Sequence, residues 1–140
     1  MSIYFLDTTT ITLLRHGNAS IQQVINRHAS HHVVAITAVN VEEYLSGWYT
    51  MLRRAKSNAA EAMASVDLAG AMKLLSRFPV YPMSEAALDR ADQLFKSKIN
   101  VGRMDLKIAA LALELDATVV TNNIRDFSRV PGLRFEDWSV

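Results

Sequence analysis

Acids and amides stand at four points where apolar segments begin or end. Asp7 closes the apolar run "IYFL" (3–6). Glu43 lies early in "AVNVEEYLSG", with Glu42 beside it as a competitor for the same role. Asp105 opens the apolar stretch "MDLKIAALALELD" (104–116), and Asn122, Asn123 and Asp126 follow "ATVVT" (117–121). Carboxylates gathered in one place repel one another, and protons or cations must neutralise them. Oxygen donors, with no histidine or cysteine at these positions, suit a hard cation such as Mg²⁺ or Mn²⁺. Such an ion keeps several waters, meets phosphate oxygens, and can activate a water for in-line displacement at phosphorus. Each residue also has a plainer reading. Asp7 and Asp105 are helix-start acids that complement the helix dipole, Glu43 is solvated surface, and the 122–126 group is turn chemistry. Their order and shared context are what point to a common site.

The elements that must position these groups can be read from the same sequence. "IYFL" and "HVVAIT" (32–37) are short, apolar and β-rich, and they read as buried strands. "TTITLLRHG" reads as a helix capped by Thr8 or Thr9 and stopped by Gly17. Helical spacing recurs over 21–29, over the amphipathic 38–55 with Gly47 as a mild interruption, and over 59–78. "PVYPM" (79–83) is a short extended piece, and Ser84 caps the helix "EAALDRADQLFKSK". A helix over 104–116, the strand 117–121 and a last strand "LRFEDW" (133–138) complete the chain. Short strands that are apolar on both faces and alternate with helices predict an α/β fold, with a short central parallel sheet flanked by helices on both sides. Ligands in such sheets bind outside the carboxyl ends of the strands. Asp7 and the 122–126 group then share one edge, and the helix starts carrying Glu43 and Asp105 open toward it.

Composition sets the outer bounds. A chain of 140 residues fits one domain, 1–140, with its own core. There is no cysteine, which removes disulfides, thiolate nucleophiles and cysteine-based zinc sites and suits a reducing cytoplasm. The start "MSIYFLDTT" lacks the basic region and long apolar stretch of a signal peptide, and no run is long enough for a membrane span. The net charge of +1 does not mark a nucleic-acid binder, so any basic surface for one must be gathered on one face.

At this point the chain resembles the PIN-domain ribonucleases, and among them the VapC-type toxins of toxin–antitoxin pairs. The matching pieces are "FLDTT", "ITAVNVEEYLSG", "GRMDLKIAALALELDATVVTNNIRDF" and "VPGLRFEDW", in the family's order and spacing over nearly the whole chain. The resemblance implies a single PIN-like domain that cuts RNA phosphodiester bonds with one or two Mg²⁺ or Mn²⁺ ions, leaving a 5′-phosphate and a 3′-hydroxyl. It makes Asp7, Glu43 (four residues before Gly47) and Asp105 the first three acids of the site. The fourth position falls in "TNNIRDF", where either Asn123 or Asp126 could fill it; Asp126 is preferred as the acid, with Asn123 as a neutral ligand. Thr8, Thr9 and Thr121 are supporting groups. The family usually opens Asp-Thr-Asn, and here Thr9 replaces the amide while keeping a donor. The resemblance also implies a homodimer held in check by a VapB-like antitoxin.

The remaining polar residues are sorted by the same weighing. Lys96, Lys98, Arg103 and Lys107 flank the third acid and are candidates for gripping the RNA backbone, the plain alternative being solvated helix surface. Arg53, Arg54 and Lys56 form a second basic group. His28, His31 and His32 have helical spacing but no accompanying carboxylate, so a structural role is expected rather than a metal site. Trp48, Tyr49, Met51 and Leu52 read as core, or else as a groove for a partner. Two other functions compete. A phospho-accepting signalling domain would need an acidic pair after the first strand and a lysine after a later one, where this chain has Thr8-Thr9 and "TNN". A catalytically impaired PIN fold that only binds RNA or protein is the second alternative; metal-dependent cleavage separates it from the enzyme.

Overall fold

The computed structural model describes residues 1–140, with elements β1 (Ile3–Leu6), α1 (Thr8–Arg15), α2 (Ala19–His28), β2 (Val33–Thr37), α3 (Ala38–Arg54), α4 (Asn58–Leu75), β3 (Val80–Tyr81), α5 (Glu85–Lys96), α6 (Arg103–Leu115), β4 (Thr118–Val120), α7 (Ile124–Phe127) and β5 (Arg134–Glu136). The strands form one five-stranded sheet in the order β3-β2-β1-β4-β5, and every neighbouring pair is parallel. No helix is long and apolar enough to cross a membrane.

Helices cover both faces because the strands are apolar on both. Phe5, Ala35 and Val119 face a core shared with α5, α6 and α7, which includes Leu106, Ile108, Leu111 and Phe127. The next residue in each strand (Leu6, Ile36, Val120) turns to the opposite core with α1, α2, α3 and α4, which includes Ile11, Ile21, Leu45 and Leu75. This is the period-2 alternation of a pleated strand, with apolar side chains at both phases.

Local differences from the sequence reading have physical causes. The cap of α1 is Asp7, not Thr8 or Thr9: its carboxylate accepts the Thr10 backbone N–H at 2.9 Å. Thr10 is then free to donate its hydroxyl to the Val120 carbonyl, which also receives the Asp7 N–H, each at 2.9 Å. Helix α2 begins at Ala19 because Asn18 caps it, two residues before the apolar spacing starts. Helix α4 ends at Leu75 rather than running to 78; Pro79 bars the residue before it from helical backbone. Helix α3 runs unbroken through Gly47. The last strand is only Arg134–Glu136, and the turn α7 was hidden by its four-residue length.

The start of α3 is held by a buried box. Thr37 donates its backbone N–H and its hydroxyl to Asn40 Oδ1, both at 2.9 Å, and Asn40 returns its own N–H to Thr37 Oγ1 at 3.2 Å. Both residues are fully buried, so neither can fall back on water. Asn40→Ala strands the Thr37 N–H in the core and removes the reciprocal cap. We expect a loss of about 2–3 kcal/mol, read as a lower urea midpoint at unchanged slope.

Candidate active site

The carboxyl edge of the sheet collects what the sequence scattered. Asp7, at the end of the central strand, is only 2% exposed. It can stay there because the α1 start supplies the Thr10 N–H and because Thr9 donates its hydroxyl to Oδ1 at 2.9 Å. Glu43, half-buried in the second turn of α3, accepts a hydrogen bond from the Thr8 hydroxyl. Thr8 in turn accepts from Asn40 Nδ2 at 3.3 Å, so the cap of α3 is continuous with the group that aims Glu43. Glu42 is exposed and lines a shallow depression on the outside of α3 with Tyr49 and Arg53. Between the two acids it is Glu43 that reaches the Asp7 side of the molecule.

Asp105 sits in the first turn of α6, whose N-cap, Gly102, offers no side chain to the free amides there. Burial, followed by the charges of Asp7, Glu43 and Asp126, pushes the Asp105 carboxyl up from its ordinary value to about 6. That dependence on three other acids from three other segments is the electrostatic signature of their convergence. Beyond β4, Thr121 Oγ1 accepts the Asn123 N–H at 2.8 Å and sets the chain's turn into α7. Asn123 Nδ2 then donates to Asp126 Oδ2 at 3.0 Å, so the two candidates for the fourth position act as a pair, the amide holding the carboxylate. Arg129 stands 3.6 Å from Asp126 Oδ1 and donates to the Asn100 carbonyl at 2.9 Å, joining α7 to the loop before α6. Asn122 is exposed.

Two groups here went unnoticed in the sequence. Asn40 carried a signal, the Thr-x-x-Asn spacing of a capping box. Arg129 carried only its i,i+3 spacing from Asp126, a weak signal on its own.

No three of the acids already form a closed cage for an ion. A small hard cation needs no such cage, since it takes one or two carboxylates and keeps its waters. The donor set is all oxygen and strongly negative, with Arg129 as its cationic neighbour, and it fits a divalent ion.

The other candidates differ in where they fall. Lys98 and Arg103 are exposed and Lys107 is half-buried, all near the start of α6. Arg53 is ten residues past Glu43 on one helix, about 15 Å along its axis, and lies away from the acids. His28 and His32 pack in an aromatic cluster with Tyr4 and Trp138, the His28 ring stacked on the indole at 4.9 Å. His28 Nδ1 bonds the Val24 carbonyl and His32 Nδ1 accepts the Ser2 N–H, while His31 is exposed. Trp48 is half-buried with the Arg15 guanidinium 5.6 Å from its ring, and Tyr49 and Met51 are exposed on the outside of α3.

The family model described as PIN domain matches residues 4–133. The chain belongs to the PIN-domain family. Among PIN-domain relatives, it is 31% identical to a tRNA(fMet)-specific endonuclease VapC of Salmonella typhimurium, over 96% of this chain and 97% of that one. It is 26% identical to ribonuclease VapC1 of Haemophilus influenzae, over 98% of each. The crystal structure of DNA-bound VapBC from Salmonella typhimurium superposes with a TM-score of 0.76 at 29% identity, over 99% of each chain. That of VapBC2 from Rickettsia felis bound to a DNA fragment from its promoter gives 0.76 at 25%, over 97% of this chain and 98% of that one.

The raised pKa makes a stability prediction with a definite sign. Folded Asp105 holds its proton up to about pH 6, whereas the unfolded residue releases it near pH 4. The metal-free fold therefore loses stability as pH rises through that window. The full shift is worth about 3 kcal/mol, and solvent at the half-buried carboxyl screens it to about 1–2 kcal/mol. Asp105→Asn should stabilise the metal-free protein by that amount above pH 7, and the gain should vanish below pH 4. Urea melts of both proteins across this range check it.

Proposed function

We propose that the chain is a metal-dependent endoribonuclease, the toxin of a toxin–antitoxin pair. The observation that carries this reading is the convergence of Asp7, Glu43, Asp105 and Asp126 from four segments on the carboxyl edge of one parallel sheet. The relatives named VapC ribonucleases and the VapBC assemblies among its structural likenesses support it. By the same likeness its partner is a VapB-like antitoxin and its substrate an RNA. A homodimer and residence in the cytoplasm belong to this proposal as well.

Asp7, Glu43, Asp105 and Asp126 would hold Mg²⁺ or Mn²⁺, with Asn123 as a neutral oxygen donor. When bound, the ion supplies charge neutralisation at the phosphate and an activated water for in-line displacement. The chain's own residues do the positioning. Thr9 and the α1 start hydrogen-bond the buried Asp7 carboxylate in place, Thr8 fixes the rotamer of Glu43, and Asn123 fixes that of Asp126. The start of α6, with its unclaimed amides, presents a partial positive charge to an anionic phosphate.

The binding-only alternative draws on one observation, that no three acids already form a cage. The two readings part on a single assay. Purified protein is offered a mixed RNA pool with Mg²⁺ or with EDTA, beside Asp7→Asn and Asp105→Asn. The nuclease reading expects cleavage with the ion and at least about a 100-fold loss in each variant or in EDTA. Folded, metal-loaded protein that leaves the pool intact, or variants that cut at the wild-type rate, would decide for binding alone.

A further inference from the structure

A cleft of about 610 Å³ lies between α5 and α6, beside the acid cluster and outside the machinery described so far. Phe95, Lys96 and Lys98 line it together with Ile99, Asn100, Val101 and Leu106. Leu106 directly follows Asp105, so the wall of the cleft and the third acid share the first turns of one helix. We propose that this cleft is a nucleobase subsite, which takes one unpaired base of the RNA next to the bond being cut. The proposal rests on the nuclease reading above and names how that site would choose its substrate.

Three observations converge on it. The first is an aromatic platform left out of both cores: Phe95 is 49% exposed, and the Arg103 guanidinium stands 4.1 Å from its ring centroid. Arg103 holds the ring in place. A flat apolar face fixed in this way is what an unstacked base seeks, and stacking tolerates any base. The second is charge. Lys96 and Lys98 line the cleft and Arg103 packs over Phe95 beside it, while the acids occupy the sheet edge, so a polyanion is drawn to this side of the site and repelled by the other until a cation is bound. The third is the loop itself. Lys98 and Asn100 hold φ of 57° and 53°, a left-handed conformation that residues with side chains seldom adopt. Arg129, already paired with Asp126, bonds the Asn100 carbonyl and ties this loop to the acid cluster. The floor from Ile99, Val101 and Leu106 matches the faces of a base. The Asn100 amide, able to donate and accept, is the group that could read a base edge.

The cleft takes a base rather than simple phosphate because its floor is apolar, and that distinction gives the test. Binding of short single-stranded RNAs, one homopolymer per base, is measured in EDTA so that no cleavage intervenes. An abasic ribose-phosphate chain of the same length and charge serves as the comparison. Phe95→Ala should weaken the base-bearing oligomers by about 10- to 100-fold and leave the abasic chain unchanged, and Phe95→Trp should restore binding. Lys98→Ala should weaken both kinds alike and lower the salt slope by about 1. Equal binding of the RNAs by wild type and Phe95→Ala overturns the proposal, as does an equal loss for the abasic chain. An effect of Phe95→Ala on self-association alone would assign the cleft to a contact between copies and overturn it too. Cleavage by wild type and Asp105→Asn, run in parallel, keeps the two failures apart. A silent Phe95→Ala beside a dead Asp105→Asn removes the subsite and leaves the nuclease; the reverse pattern removes the nuclease and leaves a base-binding cleft.

Discussion

Mutual repulsion among Asp7, Glu43, Asp105 and Asp126 is the constraint around which this molecule is arranged. Nothing in the apolar cores favours placing the acids together, and burial makes their charges more costly still. The fold answers with local compensation at each acid. Asp7 has an amide and a hydroxyl, Glu43 has a hydroxyl itself held by an amide, and Asp126 has an amide and a guanidinium. Asp105 lacks such a set, and burial together with the neighbouring acids pushes its carboxyl up to about 6. The four therefore differ in how far the protein has already settled them.

That arrangement explains why so many polar residues near the edge serve one another rather than solvent. Thr37, Asn40, Thr8 and Glu43 form one line from the end of β2 to the acid, and every link is a donor meeting an acceptor. Thr121, Asn123, Asp126 and Arg129 form a second line on the far side of β1, ending on the loop before α6. No buried side-chain polar atom is left without a partner. Rigidity of this kind comes from complete hydrogen bonding, since a half-satisfied network in low dielectric would destabilise the core it borders.

Much of this was legible in the sequence, for reasons that can be named. Asp7 and the 122–126 group were visible because an apolar strand announces its own end, and strand ends mark the ligand edge once the sheet is known to be parallel. The alternation of short strands with helices supplied that knowledge. What was hidden depended on competition or on distance. Asp7 won the α1 cap from Thr8 and Thr9 because Thr10 was drawn to the Val120 carbonyl, a partner more than a hundred residues away. Thr37 looked like the last residue of a strand, and its partnership with Asn40 needed both to be buried. Whether Asn123 or Asp126 completed the set was undecidable from residue types alone. In the structure the Asn123 amide donates a hydrogen bond to the Asp126 carboxylate.

The strand order carries a consequence of its own for the way the chain is made. β1 precedes the other four strands in sequence and lies at the centre of the sheet, yet one of its two neighbours is β4. Asp7 and Glu43 leave the ribosome well before Asp105 and Asp126. Long-range strand pairing of this sort forms slowly, after the closing of a large loop. A growing chain thus carries the first two acids from Glu43 onward without the other two until Asp105 is added. Chains that end before Asp105 never gain them. Assembly of the four acids thus waits on the pairing of β1 with β4.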